Sequence, residues 1–393
     1  MIYCKRYNGE DLEDEPHIVV LGSCKVGNFI ATIPLLQALR RTYPQARIDF
    51  WGSEATKDLE EALCEVEEEH LRSRRLINWR VSWDKVSTNR MLELGNRIKE
   101  RGNPSLVINC DGFNPITKTL AAWMMPKWIV GASIDIEGRK DLEWGNKPQQ
   151  AFLKDDDWET IDFKERYKEY LEDQYIGNLM CFMTFIEPNK DDMKIALPYR
   201  KPKYKVPSLL IHCTTTRKAK MWSRDKWEKV ISWCSDNEIS VGIVGAAPDI
   251  QKKYYNSGND EDYLINIFKE KYLSNGEKLL SDLRGKTSLI ELVGACRQAK
   301  AVISVDAGPL HIAAASGVPV LAIVGSDKEG IGASPIRLWM PRSSNVSRTI
   351  SNQSCNKCLV NRFKNDSCVL DEHECMNGIR TEEVINWLMN AIG

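Results

Sequence analysis

The stretch SVDAGPLHIAAASGVPVLAIVGS, residues 304–326, decides the reading of this chain. AVISVD (301–306) is a short apolar, β-branched run of the kind that forms a buried parallel strand. It delivers Asp306 at its carboxyl end, where open α/β sheets bind their ligands. Gly308 lets a phosphate approach the backbone with no Cβ in the way. Pro309 suits the first position of a helix, where its absent N–H is not missed. The helix that follows, PLHIAAAS (309–316), aims free N–H groups and the positive end of its dipole at the same point, which suits a diphosphate. His311, in the first turn, can donate to a phosphate oxygen or a sugar hydroxyl. Ala313, Ala314 and Ala315 let the helix lie close on the sheet, and PVLAIVG (319–325) is the next strand. A tight strand–turn–helix with Asp306 as a simple N-cap is the alternative for that residue alone. Asp, Gly and His together at one crossover point to a ligand site.

A second loop carries complementary chemistry. HCTTTRKAKMW (212–222) follows the strand SLLIHC (208–213) and offers three threonines, then Arg217, Lys218 and Lys220. A departing nucleotide diphosphate gains negative charge in the transition state, so fixed cations and N–H donors lower its barrier. Lys220 is the leading candidate for that role, and a solvated basic loop is the alternative.

The same alternation of strand and helix extends through both halves. In the first, HIVVLGS (17–23), ARIDFWGS (46–53), SLVINC (105–110) and WIVGAS (128–133) read as strands. GNFIATIPLLQALRRTYP (27–44) and PITKTLAAWM (115–124) read as helices, with Pro34 expected to kink the first or mark its effective start. In the second, 208–213, 239–246, 301–306 and 319–325 are strands, and 224–236, 288–299 and 309–316 are helices. The pattern predicts an α/β protein of two Rossmann-like domains facing across a cleft. Residues 1–190 form the first domain, 191–206 a Pro- and Lys-rich linker and 207–380 the second domain, with a C-terminal helix at 381–393. The charged, aromatic segment after residue 137 is expected to supply helices that cover or gate the cleft.

Composition narrows the function. The 54 basic and 55 acidic residues nearly balance, which argues against a nucleic-acid partner. No export signal and no run near the roughly 18 apolar residues of a membrane span is visible. A cytoplasmic setting follows, with at most peripheral membrane contact, and the basic string Arg72-Ser73-Arg74-Arg75 reads as a solvated face. In a reducing compartment the crowded Cys355, Cys358, Cys368 and Cys375 suit a structural zinc or iron better than disulfides; four thiols in a small core are the alternative, and His373 is a substitute ligand. Asp155-Asp156-Asp157 and Asp260-Glu261-Asp262 formally satisfy an Asp-x-Asp pattern but read as solvated charge runs, not a hard-cation site.

These motifs resemble glycosyltransferase family 9, the heptosyltransferase-like enzymes of GT-B fold. Asp306, Gly308 and His311 match the family's Asp-x-Gly-x-x-His, and Thr215, Thr216, Lys220 and Trp222 match its Thr-Thr…Lys-x-Trp loop. Segments 283–305 and 33–50 also read like the family, so the likeness spans both halves. It implies that these residues contact the nucleotide and its phosphates with no cofactor for catalysis, and that an acidic residue, here Asp249, meets the ribose. The resemblance extends to the Cys-rich stretch before a final helix. One departure matters: the family's Gly-Asp, whose Asp is the general base, is here Gly27-Asn28, and an amide cannot accept a proton at neutral pH. Asp111, at the end of another strand, is the substitute base; a turn-forming Asp capping the next helix is the alternative. The expected activity is inverting transfer from an ADP-heptose-like nucleotide-sugar donor to a glycan, glycolipid or protein acceptor, such as a lipopolysaccharide core. The rivals are a sugar-nucleotide epimerase or hydrolase of the same plan, and a non-catalytic sugar-nucleotide-binding protein that lost its base at Asn28.

Overall fold

The computed structural model describes residues 4–23, 25–68, 74–78, 88–112, 114–135, 140–254, 258–271, 280–325, 335–351, 368 and 374–393. The chain divides into two compact units, one of residues 1–158 and 162–195, the other of 159–161 and 196–393. The first unit holds β1 (Lys5–Arg6), β2 (His17–Leu21), β3 (Arg47–Gly52), β4 (Arg74–Asn78), β5 (Leu106–Asn109) and β6 (Trp128–Gly131), in the order β1-β6-β5-β2-β3-β4. The second holds β7 (Leu209–His212), β8 (Val241–Ile243), β9 (Leu280–Asp282), β10 (Ala301–Val305), β11 (Val320–Val324) and β12 (Val346–Ile350), in the order β12-β11-β10-β7-β8-β9. Every strand pair in both sheets is parallel. This is the α/β architecture of two parallel sheets that the alternation predicts.

In each sheet the chain winds outward one way and then returns to wind the other way. The reversal falls between β2 and β5 in the first unit and between β7 and β10 in the second. At such a switch point the loops leaving neighbouring strands diverge, which opens a crevice at the carboxyl edge. The central strands are apolar because both of their faces are covered: β2, β5, β7, β10 and β11 are buried throughout. Val19, Leu21, Trp51, Val107 and Leu120 share one core, and Leu209, Ile211, Trp222, Trp227, Ile303 and Leu321 share the other. Val384 and Leu388 of the last helix, Thr381–Ile392, belong to that second core.

Several expectations are refined. The helix Val26–Thr42 starts ahead of Pro34 and runs through it, so the proline is neither its start nor its end. Its flank packs on the helix Ile176–Met183, where Gly177 lies against Pro34. Arg74 and Arg75 belong to edge strand β4; Arg72 and Ser73 lie outside the described residues. In the segment after residue 137, Phe152 gathers Trp158, Phe163, Tyr167 and Phe182 around it at tilted or edge-on angles. Asp155 and Asp157 both pair with Arg166, so an ion-pair cluster uses their charge.

At the amino-terminal side of the first sheet, Asp49 is fully buried and accepts from Arg101 Nη2 at 2.6 Å and from His17 Nε2 at 2.6 Å. Arg47 Nη2 donates to His17 Nδ1 at 2.6 Å, which fixes a neutral imidazole with its proton on Nε2. Burial lowers the His17 pKa, against the pull of Asp49.

Candidate functional site

In the second unit the switch point brings the two sequence motifs together. The loop after β7 ends in a single 3-10 turn, Lys218–Lys220, and Lys220 Nζ donates to Asp306 Oδ2 at 2.5 Å. The two side chains are 15% and 11% exposed, so the pair is sheltered but reachable. Trp222 explains how the loop is held. Its side chain is buried against Trp227 at 5.1 Å and 85°, and its Nε1 donates to the Ile379 carbonyl at 3.3 Å. Lys226 Nζ adds bonds to the carbonyls of Asn377 and Ile379. The segment following the cysteine-rich stretch therefore braces the loop that carries Lys220.

Across the switch point, Asp306 leaves β10 and the helix Gly308–Ser316 opens after Ala307, which has extended backbone. Gly308 stands at the first helical position, with Pro309 beside it. His311 is buried, and its Nδ1 makes no hydrogen bond among the described residues. Burial lowers its pKa to about 4; Asp306 pulls the value up and Lys220 pushes it further down. At neutral pH His311 is therefore an uncharged imidazole with a free nitrogen beside an ammonium and a helix amino terminus. A phosphate oxygen or a hydroxyl would satisfy that nitrogen. Thr215 is buried, while Thr216 is exposed. Asp249 lies in the first turn of the helix Pro248–Tyr254, with its side chain exposed.

In the first unit, Asp111 follows β5 and Asn28 follows β2, so the two flank the other switch point. Asp111 is not the helix cap. Asn114 caps Pro115–Trp123 through Oδ1, which accepts from Ile116 and Thr117. Asn114 Nδ2 then donates to Asp111 Oδ2 at 3.2 Å. Burial raises the Asp111 carboxyl pKa, against the opposing effects of Asn114 and Lys25. That shift favours proton acceptance. Asn28 Nδ2 donates to Ser23 Oγ at 3.0 Å and closes the turn after β2.

The cysteine cluster is described only in part. Cys368 and Cys375 are half-buried, and Cys375 Sγ packs against Gly325 at the end of β11. Cys355, Cys358 and His373 lie outside the described residues. Among the described residues no group of three or more His, Cys, Asp or Glu side chains is placed to hold a metal, and no helix is long and apolar enough to cross a membrane.

One reading is corrected. Glu261, read from the sequence as part of a solvated acidic run, is fully buried and paired with Arg284 at 3.5 Å. Its spacing carried the signal: Glu261, Leu264, Ile265 and Phe268 share the inward face of the helix Gly258–Lys271. The sequence reading also missed Arg284, Gln251 and His212, all buried beside this carboxyl or the loop after β7, and it gave Thr214 no role of its own.

Comparison with known proteins agrees with the geometry. Residues 183–367 match the family model of glycosyltransferase family 9 (heptosyltransferase). No curated protein matches the chain in sequence. The fold is shared with a family 9 glycosyl transferase from Veillonella parvula, at a TM-score of 0.64 and 15% identity over 97% of this chain and 98% of that one. It is shared with E. coli heptosyltransferase WaaC, solved with ADP-2-deoxy-2-fluoro heptose, at 0.55 and 14% over 95% and 99%. The iron-containing dodecameric glycosyltransferase TibC of enterotoxigenic E. coli matches at 0.53 and 14% over 98% and 81%. The chain thus carries a glycosyltransferase family 9 (heptosyltransferase) region at residues 183–367, set in a heptosyltransferase-like fold along nearly its whole length.

Proposed function

We propose that this protein is an inverting glycosyltransferase that takes a sugar from an ADP-heptose-like donor and attaches it to a hydroxyl of a glycan, glycolipid or protein on the cytoplasmic side. The observation that carries the reading is the meeting of Lys220, Asp306 and His311, whose buried Nδ1 makes no hydrogen bond among the described residues, at one switch point at the start of the helix Gly308–Ser316. Asp111 removes a proton from the acceptor hydroxyl, whose oxygen attacks the anomeric carbon as the bond to the diphosphate breaks. Lys220, the Thr215 and Thr216 hydroxyls and the helix amino terminus take up the charge on the departing nucleotide diphosphate. Asp249 is exposed and is assigned to the ribose. The ADP part of the donor is supported by WaaC, solved with an ADP-heptose analogue.

The four cysteines are assigned a structural metal, zinc or iron, supported by the Cys-x-x-Cys spacing and the iron of TibC.

A thermal-shift panel of ADP-, GDP-, UDP- and dTDP-sugars tests the donor. A ligand at 100 times its Kd stabilises by about 2.7 kcal/mol, so the ADP-sugar is expected to raise Tm clearly above the rest. A panel with no shift at all would refute the donor site.

A further inference from the structure

A charge network built on two buried groups, Glu261 and Arg284, lies beside the loop that follows β7. Arg284, just beyond β9, reaches Glu261 Oε2 at 3.5 Å, Asp262 Oδ1 at 2.9 Å, Asp282 Oδ2 at 2.9 Å and Gln251 Oε1 at 3.3 Å. Lys252 holds the other oxygen of Asp262 at 2.8 Å. Three buried polar atoms gather around the carboxyl with no well-aligned hydrogen bond among the described residues: Glu261 Oε1, Gln251 Nε2 and Thr214 Oγ1. The Thr214 hydroxyl and the Gln251 amide nevertheless lie near enough to favour the ionised carboxylate. Thr214 is bonded directly to Thr215, so whatever fixes its side chain fixes the start of the donor loop.

We propose that Glu261 is a positioning residue for the donor loop: anchored by Arg284, it holds Thr214 in place, and its protonation is coupled to binding of the anionic donor. This rests on the donor-site reading above. Burial raises the Glu261 carboxyl pKa to about 7, against the pull of Arg284. Around it lie Arg284 beyond β9, Gln251 from Pro248–Tyr254, Thr214 and Cys213 after β7, and Asp260 and Asp262 on its own helix; Asp282 and Lys252 join through Arg284 and Asp262, and His212 lies beside Gln251 at Gly245. Burial pushes the Cys213 thiol well up and the His212 pKa down, so both remain uncharged near neutral pH. A diphosphate bound at Thr215 places negative charge near this carboxyl and raises its affinity for a proton. By linkage the protonated form binds the donor more tightly. A protonated Glu or a Gln still offers an oxygen to the Thr214 hydroxyl. A Leu does not.

Titration calorimetry with ADP-glucose tests this, because its doubly esterified diphosphate does not itself titrate near neutrality. Wild-type affinity is expected to fall about tenfold between about pH 6 and pH 8.5, equivalent to a shift of about one unit in the carboxyl pKa on binding. At about pH 7, measurements in two buffers of different ionisation enthalpy should show uptake of part of a proton. E261Q should bind at the wild-type acid-side affinity at every pH, with no proton uptake, whereas E261L should bind weakly throughout. Wild-type binding that ignores pH, or E261Q that keeps the wild-type pH dependence, overturns the role of Glu261 alone. Absence of ADP-glucose binding at any pH overturns the donor reading as well.

Discussion

Replacing Lys220 with methionine tests the charge logic of the donor site most directly. The Lys220 ammonium already sits 2.5 Å from Asp306 Oδ2, with both side chains mostly sheltered. A new contact between this ammonium and a phosphate at about 4 Å is worth about 4 kcal/mol at an effective dielectric of about 20. Recruiting it loosens a bond to Asp306 of similar size, so the net gain on binding the ground-state donor is only about 1 kcal/mol. In the transition state the departing diphosphate acquires further negative charge, which Asp306 cannot offset. Loss of one such stabilising donor costs about 2.7–4 kcal/mol, or roughly 100- to 1000-fold in kcat. K220M should therefore lower kcat by that factor and raise the donor KM less than about tenfold. Steady-state kinetics with saturating acceptor separates the two parameters. A variant with intact kcat and a raised KM would show that Lys220 only binds, and the leaving-group argument would fail.

Four further outcomes follow from the described geometry and from the proposed function. Because His17, His212 and His311 all have lowered pKa values, these three imidazoles bind more protons in the unfolded chain than in the folded one as pH falls below about 6.5. Their contribution to stability is full above that pH and is lost on acidification, with His311, at about 4 when folded, accounting for about 3 kcal/mol; the raised Glu261 carboxyl, at about 7, acts in the opposite direction and is common to wild type and variant. Thermal melts of the wild type and H17Q between about pH 7 and pH 5 should show a smaller acid-induced drop for the variant. Gly317 ends the donor helix at φ 83° with open space around it, so G317A should cost about 1 kcal/mol through backbone strain alone, read by denaturation. The purified protein should contain about one metal equivalent or cluster by elemental analysis, and the C355S/C358S double variant should lose it. D111N should abolish transfer while leaving ADP-sugar binding intact. In the wild type the rate should fall as pH drops through the raised Asp111 pKa, because the base must be ionised.

What the sequence reveals about the fold depends on burial. The strands legible from apolar runs, such as 17–23, 105–110, 208–213 and 301–306, are the eight central ones. Among the described residues, the four it does not reveal, β1, β4, β9 and β12, are the four sheet edges. Edge strands are half-solvated and short, so their side chains are mixed: β1, β9 and β12 contain one buried residue between them, Thr349. The donor motif was legible because a helix amino terminus needs particular residue types at fixed offsets. The network around Glu261 was not, because DED looks solvated until the apolar residues one and two turns later are counted with it. Thr214 and Arg284 are distant in sequence, and only the sheet order brings them together.

The departure at Asn28 sharpens the question of the base. Asn28 is not a carboxylate waiting for a proton; its Nδ2 is a donor to Ser23 Oγ, at the turn where β2 enters the helix Val26–Thr42. An Asp there would have to accept from Ser23 instead, with no change of shape, so N28D is a mild perturbation of structure and a direct test of chemistry. Asp111 meanwhile follows the neighbouring strand of the same switch point, with its carboxyl pKa raised by burial and its orientation fixed by Asn114. If Asp111 serves as the base, a second carboxylate at position 28 adds no new proton acceptor, and the two negative charges oppose each other across the crevice. N28D should then leave kcat within a few-fold of wild type or lower it, and the D111N/N28D double variant should recover activity only if position 28 can reach the acceptor hydroxyl. A tenfold or greater rise in kcat for N28D alone would move the base away from Asp111.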